Sequence, residues 1–390
     1  MTLIEVTEKK HIKAFLTLPV RLYKEEKNWI RPLDKDIEEI FNPETNKLLR
    51  QGKCIRWILQ DNDGLTIGRV AAFINKKTVN KDNNQPTGGM GFFECIDNQE
   101  AANILFDACK NWLAENEMEA MDGPINFGDR DKWWGCLVDG FYEPNYCMPY
   151  NFGYYKGLFE GYGFKEYFKQ YTYARKVQGE LIPKVQAKAR RIHNDPNYSF
   201  DHLRKSNMEK YAEDFRTIYN KAWGKHGGVS KMAKAQAMII MNKIKPILDP
   251  EILIFAYHKG VPIAFFIMLP EINQAIKHLN GQFNLLAKLK FMWYLKVKKV
   301  RKMFGVVFGV IPEFQGKGVE SAIVTAFSDN AHAQGDQYRY KDFEMNWIGD
   351  FNPKMMRVSE DVGGKIHKTH ITFRKLFDES KPFERMKVID

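Results

Sequence analysis

The first half of the chain alternates between segments of helical and of strand periodicity. Apolar residues recur at helical spacing over residues 8–24 and 100–113, which predicts two helices. Residues 57–60, 67–74 and 90–96 are short apolar runs bounded by turn-forming residues, which predicts three strands, the first two joined as a hairpin. The elements predicted to complete this half are a helix over 154–162 and a strand over 167–175.

The second half repeats this order of elements. Apolar spacing predicts helices over residues 208–223 and 231–247, and a hairpin over 253–257 and 263–269 follows them. The elements predicted after the hairpin are a strand over 306–311, a helix from Val319, a strand over 338–348, a helix from Pro353 and a final strand over 366–377.

The similarity of the two halves extends to local sequence. GLTIGRVAAF at 64–73 echoes GVPIAFFIML at 260–269. A repeat of about 200 residues indicates a duplicated domain and not a solenoid. The sequence therefore predicts an α/β (mixed α+β) fold of two domains, 1–178 and 200–390, joined by a basic, turn-rich linker at 179–199.

The segment 304–330 contains the most distinctive pattern in the chain. An apolar, β-branched strand leads into a short loop, in which Gly316 and Gly318 flank Lys317. Helical spacing then begins at Val319. Such a loop presents backbone N–H groups that have no partner within the helix, and an anion can accept hydrogen bonds from them. The spacing matches neither the P-loop nor the dinucleotide fingerprint, so we expect a phosphate or pyrophosphate ligand of another kind.

The string QGKGV from Gln315 to Val319 resembles motif A of the GNAT (Gcn5-related N-acetyltransferase) superfamily, Q/R-x-x-G-x-G/A, which holds the pyrophosphate of acyl-CoA. The string departs from this motif at Glu320, where the family has a small residue, and we expect this side chain to point away from the phosphates. The resemblance implies that acetyl-CoA or a longer acyl-CoA is the donor, and that its pantetheine arm pairs with the preceding strand. The residues assigned to this contact are Phe308, Val310, Ile311, Gln315, Gly316, Lys317, Gly318, Val319, Glu320, Ser321 and Asn352.

The end of the chain resembles the same superfamily. Asn352 opens a helix that is followed by Gly363 and a last strand, in the register of the common GNAT ending. The tyrosine that often serves there as general acid for the leaving thiolate is matched by Ser359, which becomes the candidate acid. The alternative is that Ser359 lies on the surface of its helix.

The resemblance also implies where the acceptor amine would bind. Glu344 and Asn346 are candidates to accept the proton of the amine, because in the family their strand splays from its neighbour to form the acceptor cleft. Trp223 and His226, beside a glycine-rich turn, are candidates for the acceptor pocket. A simply exposed Glu344 and a helix-capping His226 are the alternatives.

The two halves differ at the position of the glycine loop. The first half has DNQE at 97–100, which lacks a glycine cradle and adds two carboxylates. We therefore expect tandem GNAT-like domains, each a mixed, mostly antiparallel sheet flanked by helices, with acyl-CoA bound only by the second. The pattern GFFE at 91–94, with LDP at 248–250, resembles bacterial tandem GNAT relatives of N-acyl amino acid synthases.

Composition narrows the class of protein. The chain has 390 residues, 44% of them hydrophobic and 27% charged, as in ordinary globular proteins of two domains. Its start lacks the basic-then-apolar order of a signal peptide and its apolar runs are shorter than a membrane span, so we expect a cytoplasmic protein. The five scattered cysteines indicate free thiols, and we expect no metal.

The net charge of +11 suits an acidic partner: the phosphates of CoA, an acyl carrier protein, anionic lipid or nucleic acid. Nucleic acid rests on charge alone, without a recognised module. Residues 288–302 mix basic with aromatic and aliphatic side chains and could contact a membrane or a carrier protein. The alternative is a surface helix with its apolar side on the core.

The function predicted is transfer of an acyl group from acyl-CoA, or from acyl carrier protein, to the amine of a small molecule. Two alternatives stay open. One is an acyl-CoA-binding tandem GNAT without turnover. The other is an aminoacyl-tRNA-dependent transferase of the peptidoglycan type, against which the glycine loop argues because such enzymes hold no pyrophosphate.

Overall fold

The structure, a computed structural model, describes residues 1–80, 84–223 and 231–389, and of Trp223 only the backbone. The strands are β1 (Thr2–Glu5), β2 (Lys53–Gln60), β3 (Thr66–Ile74), β4 (Thr87–Cys95), β5 (Ala120–Gly123), β6 (Cys136–Asp139), β7 (Lys165–Lys176), β8 (Tyr198–His202), β9 (Leu253–His258), β10 (Val261–Pro270), β11 (Lys302–Val310), β12 (Asp342–Gly349) and β13 (Lys365–Leu376). The helices are α1 (Lys9–Leu22), α2 (Asp34–Phe41), α3 (Gln99–Glu115), α4 (Tyr155–Gly161), α5 (Pro183–His193), α6 (Met208–Trp223), α7 (Lys234–Ile244), α8 (Asn273–Ile276), α9 (Leu285–Trp293), α10 (Val319–Ala333) and α11 (Pro353–Asp361). The predicted mixed α/β class is confirmed, with element ends that shift by a few residues.

The strands join one continuous sheet in the order β1-β2-β3-β4-β5-β13-β7-β12-β11-β10-β9-β8, with β6 beside β13. This order has a two-fold pattern, because β1 to β5 followed by β13 corresponds to β8 to β12 followed by β7. The parallel pairs also correspond, since β4 pairs with β5 and β11 with β12 in parallel. The arrangement is what a duplicated unit produces.

The last strand of each half lies against the other half. β7, the final strand of the first half, pairs with β12, and β13 pairs with β5. β7 and β13 also pair with each other, at the centre of the sheet. The boundaries at 178 and 200 remain our assignment of the repeat, whereas in space the halves share their central strands. Separating them would leave unpaired sheet edges.

The predicted linker at 179–199 contains helix α5. Val185, Ala189 and Ile192 recur at helical spacing and are buried. Ala189 and Ile192 pack against Ala322 of α10, so α5 covers the helix that follows the glycine loop. The segment is therefore part of the packing around the candidate site.

The basic segment after α8 is a surface helix whose inner side is packed. α9 continues as one π-helical stretch, Tyr294–Lys299. Phe291 and Leu295 are buried in a cluster with Ile30 and Ile276. This packing agrees with the alternative interpretation of 288–302, a surface helix with its apolar side on the core. Phe291 and Leu295 therefore belong to the interior of the protein.

Candidate active site

Strands β11 and β12 diverge part of the way along the sheet. Their parallel pairing ends where Gly305 meets Met345. On its other side, β11 has a bulge, because Ile267 pairs with Val307 whereas Met268 pairs with Gly305, leaving Val306 as the extra residue. A bulge bends its strand. Beyond Gly305, therefore, β11 presents an edge on the side of β12.

The alternation of hydrogen bonds along β11 determines which backbone groups face this gap. The Ile311 N–H donates to Ile263 O at 2.9 Å, and the Ile311 carbonyl accepts from the Phe314 N–H at 3.0 Å. Since successive residues of an antiparallel strand point their N–H groups to opposite sides, the N–H groups of Phe308 and Val310 point away from β10 and towards the gap. Both polar backbone groups of Ile311 thus have partners within the protein, which argues against pantetheine pairing through the Ile311 backbone.

The glycine loop lies at the end of this edge. The side chain of Gln315 donates to Val310 O at 2.9 Å and so ties the loop to the strand. Gly316 and Gly318 have φ angles of +70° and +96°, which favour glycine. Gly318 precedes the first residue of α10 and has no side chain to cap it, whereas α3 is capped by Asn98, whose Oδ1 accepts from the Ala101 N–H at 2.8 Å. The two halves therefore present different helix starts, as the sequence predicts.

The first turn of α10 contains the donor groups that the sequence assigns to the pyrophosphate. The first backbone bond of the helix runs from the Ala322 N–H to Gly318 O. The N–H groups of Val319, Glu320 and Ser321 precede that bond, so they have no acceptor within the helix. Exposed Lys317 lies on the same loop. These groups could hold a phosphate.

The side chain of Glu320 folds back over the loop. Its Oε1 accepts from the Gly316 N–H at 3.0 Å. The expectation that Glu320 points away is therefore wrong. The physical reason is that a carboxylate is stabilised by a free loop N–H and by the positive end of the helix dipole. A phosphate binding to the same N–H would compete with it.

Helix α5 adds basic residues beside the loop, which the sequence analysis missed. Arg191 donates to Lys317 O at 2.7 Å. A side chain at Gly318 would place its Cβ 3.3 Å from Lys188 O. The spacing of Val185, Ala189 and Ile192 was the signal that could have predicted this helix and the cations it positions.

Glu344 lies in an ion-pair cluster and is 3% exposed. Its carboxylate accepts from Lys302 at 2.6 Å and from Lys368 at 2.7 Å. Burial by itself raises the pKa of Glu344, but Lys368 and Lys302 outweigh it and lower the pKa to about 2. A carboxylate with so low a pKa is a poor proton acceptor at neutral pH, which argues against the role of base for Glu344. Its burial argues against the alternative of a simply exposed side chain.

Asn145 of the first half completes this cluster, and nothing in the sequence pointed to it. Its Nδ2 donates to Glu344 Oε2 at 2.8 Å and to Asn346 Oδ1 at 2.6 Å. Asn346 lies one residue beyond the end of the parallel pairing at Met345, so its side chain is positioned beside the divergence of the strands. The first half thereby reaches the candidate acceptor side of the second.

Glu271 is a second buried carboxyl group near this cluster. Its Oε1 accepts from the N–H groups of Tyr146, at 2.9 Å, and Asn273, at 2.8 Å. Its Oε2 has no hydrogen-bond partner among the described residues. Burial raises the pKa of Glu271 to about 7, with Lys302 acting in the opposite direction. Such a group can exchange a proton near neutral pH.

The remaining candidates are placed less favourably. Ser359 is buried and its Oγ donates to Met355 O at 3.1 Å, so the helix itself satisfies the hydroxyl and the role of general acid is not supported. Asn352 caps α11 through its side-chain oxygen, which accepts from the Met355 N–H at 3.2 Å. The cap does not use the amide nitrogen of Asn352, which could therefore donate to a ligand. Trp223 ends α6, and His226 lies outside the described residues.

Comparisons with known proteins agree with the tandem arrangement. No family model matches the chain. The bacterial ceramide synthase of Caulobacter vibrioides is 26% identical over 383 residues, 96% of this chain and 97% of that protein. A tandem GNAT protein from the clavulanic acid biosynthesis pathway superposes with a TM-score of 0.53 at 8% identity, over 98% of this chain and 99% of that one.

A third similarity is to a larger protein. The GCN5-related glucosamine N-acetyltransferase region of a fungal multi-domain β-N-acetylglucosaminidase superposes with a TM-score of 0.54 at 14% identity. The match covers 96% of this chain but only 38% of that one. Both structural similarities establish the fold.

Proposed function

We propose that this chain, which has the tandem GNAT fold, is an acyltransferase that transfers the acyl group of an acyl thioester to an amine, with acyl-CoA as donor. The observation that carries the proposal is the continuity of the open edge of β11 with the glycine loop. The edge suits an extended pantetheine arm, which can pair with it as an added strand would. The uncapped helix start suits the pyrophosphate at the far end of that arm.

The loop also bears on the choice of donor. An acyl carrier protein presents the same arm with a single phosphodiester in place of the pyrophosphate, so it would satisfy fewer of the N–H groups around Gly318. Acyl-CoA uses both the strand and the loop. We therefore favour acyl-CoA as the donor. A cytoplasmic location is also part of the proposal.

The chemistry requires one bond to form and one to break. The neutral amine attacks the thioester carbonyl carbon, a C–N bond forms, the C–S bond breaks, and the thiolate leaves and takes a proton from the solvent. A backbone N–H of β11 that faces the gap, at Phe308 or Val310, would donate to the developing oxyanion. The amine gives up one proton, and we assign its acceptance to Glu271, since that carboxyl group has a pKa near neutrality and an oxygen without a partner.

The remaining members of the cluster would position the acceptor. The ion pairs of Glu344 hold β11, β12 and β13 together beside the gap, and Asn346 would contact the amine there. The similarity to a ceramide synthase suggests that the acyl donor and the amine acceptor are long-chain molecules. Each additional buried methylene would favour a long chain by about 0.8 kcal/mol.

The experiment is a thiol-release assay with acyl-CoA donors of increasing chain length and a panel of amines. The panel includes amino acids, amino sugars and long-chain amino alcohols, and the amide product is identified by mass spectrometry. We expect thiol release that depends on both substrates. Binding of acyl-CoA without any acylated amine would favour a non-catalytic binding module, and an absence of acyl-CoA binding would contradict the assignment of the donor site.

A further inference from the structure

The outer side of the basic helix carries an exposed apolar stripe. Its members, called here the outer stripe, are 44% to 76% exposed and are Leu285, Leu286, Leu289, Trp293 and Val297. Helices that carry apolar residues on more than one side are ordinarily buried. This helix is packed on one side only, so the outer stripe requires another explanation.

Helical spacing separates the outer stripe from the packed side. Leu285, Leu289 and Trp293 recur every four residues and so follow one line along the helix. Ala287 and Phe291, two positions out of step, lie on the opposite side and are buried in the protein. The outer stripe is therefore a continuous surface feature and not an extension of the core.

The charge around the outer stripe has one sign. No acidic residue occurs between Glu271 and Glu313, whereas eight Lys and Arg residues do. Exposed lysines flank the stripe, and Lys298 Nζ lies 5.1 Å from the centre of the Trp293 ring. The lysines nearest to the stripe are Lys288, Lys290, Lys296, Lys298 and Lys299.

We propose that the outer stripe docks on the surface of an anionic lipid bilayer. Leucine and tryptophan side chains partition into the boundary between headgroups and acyl chains, and lysines beside them contact anionic headgroups. An acidic protein partner would match both features only if it had an apolar groove rimmed by acidic side chains, whereas an anionic bilayer offers an apolar layer beneath charged headgroups over its whole surface, so lipid fits both features more simply. No helix in the described parts of the chain is long and apolar enough to cross a membrane, so the contact is peripheral. This inference does not rest on the proposed reaction, because it concerns binding alone.

The test is cosedimentation of the full chain with vesicles of phosphatidylcholine, with and without phosphatidylglycerol. Lys296→Gln/Lys298→Gln/Lys299→Gln should lower the partition coefficient on the anionic vesicles on the order of 100-fold, since each basic residue near such a surface contributes about fivefold. Leu285→Ser/Leu289→Ser/Trp293→Ser should lower it at least about tenfold. Added salt should weaken the binding of the unaltered chain.

Matched controls use equally exposed residues elsewhere. Lys9→Gln/Lys13→Gln/Lys24→Gln and Leu65→Ser/Val261→Ser/Val388→Ser should bind as the unaltered chain does. A blue shift of tryptophan emission on vesicle addition, absent in Trp293→Phe, gives a second measurement that does not depend on the triple variants. The proposal is overturned by absent vesicle binding, by equal binding to neutral vesicles, or by loss of binding in the controls. It is also overturned if the apolar triple variant instead abolishes self-association or binding to an acidic carrier protein.

Discussion

Lys368 of β13 donates to Glu344 of β12 across an intervening strand, with Nζ and Oε2 2.7 Å apart and β7 between the two. Glu344 also accepts from Lys302 of β11 at 2.6 Å. One carboxylate thus connects strands on both sides of β7, at the place where the halves exchange their last strands. Removing its charge would leave two cations without their counter-charge in a region that is mostly closed to water.

We predict that Glu344→Gln lowers the free energy of unfolding by about 3–5 kcal/mol, because breaking a buried ion pair leaves an uncompensated charge. Chemical denaturation measures this. Glu119→Gln is the control, since Glu119 pairs with Lys381 where both side chains are nearly half exposed, and it should change stability by less than about 1 kcal/mol. Equal denaturation midpoints for the two variants would show that the cluster does not stabilise the exchanged strands.

The same carboxylate predicts a loss of stability in acid. Its pKa in the folded protein is lowered to about 2, below the value of 4.5 for an unperturbed glutamate. A lowered pKa gives stability that is present above the unfolded value and is lost as the pH falls from about 5 towards 2. The difference in unfolding free energy between the unaltered chain and Glu344→Gln should therefore shrink across this range. A difference that stays constant from pH 7 to pH 3 would contradict the lowered pKa.

The sequence predicts local elements well because their periodicity is local. The strand, glycine loop and helix around Gly318 follow from neighbouring residues, and the difference from the capped start of α3 follows from Asn98. The exchange of β7 and β13 could not be predicted. Both are twelve-residue strands of similar pattern, and the choice of partner depends on contacts far apart in the chain.

The ion-pair cluster around Glu344 and the contacts of Glu271 could not be predicted for the same reason. Asn145 meets Glu344 across 199 positions of sequence, and Tyr146 meets Glu271 across 125. No spacing rule connects such residues. The family pattern assigns Ser359 as the candidate acid by its position alone, but the burial of its hydroxyl depends on helix packing that the pattern does not contain.

The two loop glycines differ in the space around an added Cβ. At Gly316 an added Cβ would meet no atom within 4 Å, whereas at Gly318 it would lie 3.3 Å from Lys188 O. We predict that Gly318→Asp weakens CoA binding more than tenfold, through positive φ, crowding and added negative charge. Calorimetry measures the affinity. Gly260→Ala, another open position with positive φ, is the control for backbone strain and should bind CoA normally.

Glu320 should limit the affinity for the donor. Its carboxylate accepts from the Gly316 N–H, which a pyrophosphate would also use, and it adds negative charge beside the ligand. We predict that Glu320→Gln tightens CoA binding by about fivefold, the equivalent of about 1 kcal/mol. Glu313→Gln removes an exposed charge from the same loop and should have a smaller effect. Weaker binding in Glu320→Gln would mean that the side chain supports the loop and does not compete with the ligand.

The ionised form of Glu271 should support activity but lower the stability of the fold. Its pKa in the folded protein is raised to about 7, because burial disfavours the charged form. A raised carboxyl pKa gives stability that is fully present below the unfolded value, near 4.5, and is lost as the pH rises through 7. Glu271→Gln cannot ionise, so we predict that it is more stable than the unaltered chain at pH 8 and similar to it at pH 4.

The activity of the same variant tests the assignment of proton acceptance. If Glu271 accepts the proton of the amine, the kcat of the unaltered chain rises with an apparent pKa near 7. In Glu271→Gln that rise should disappear and kcat should fall by about 100-fold or more, with CoA affinity unchanged. Glu344→Asn keeps the titrating group but removes a negative charge that helps to raise its pKa, so kcat should still rise with pH, with an apparent pKa below that of the unaltered chain. A Glu271→Gln variant that retains the rise, while gaining stability at pH 8, would show that Glu271 titrates as inferred but that another group accepts the proton.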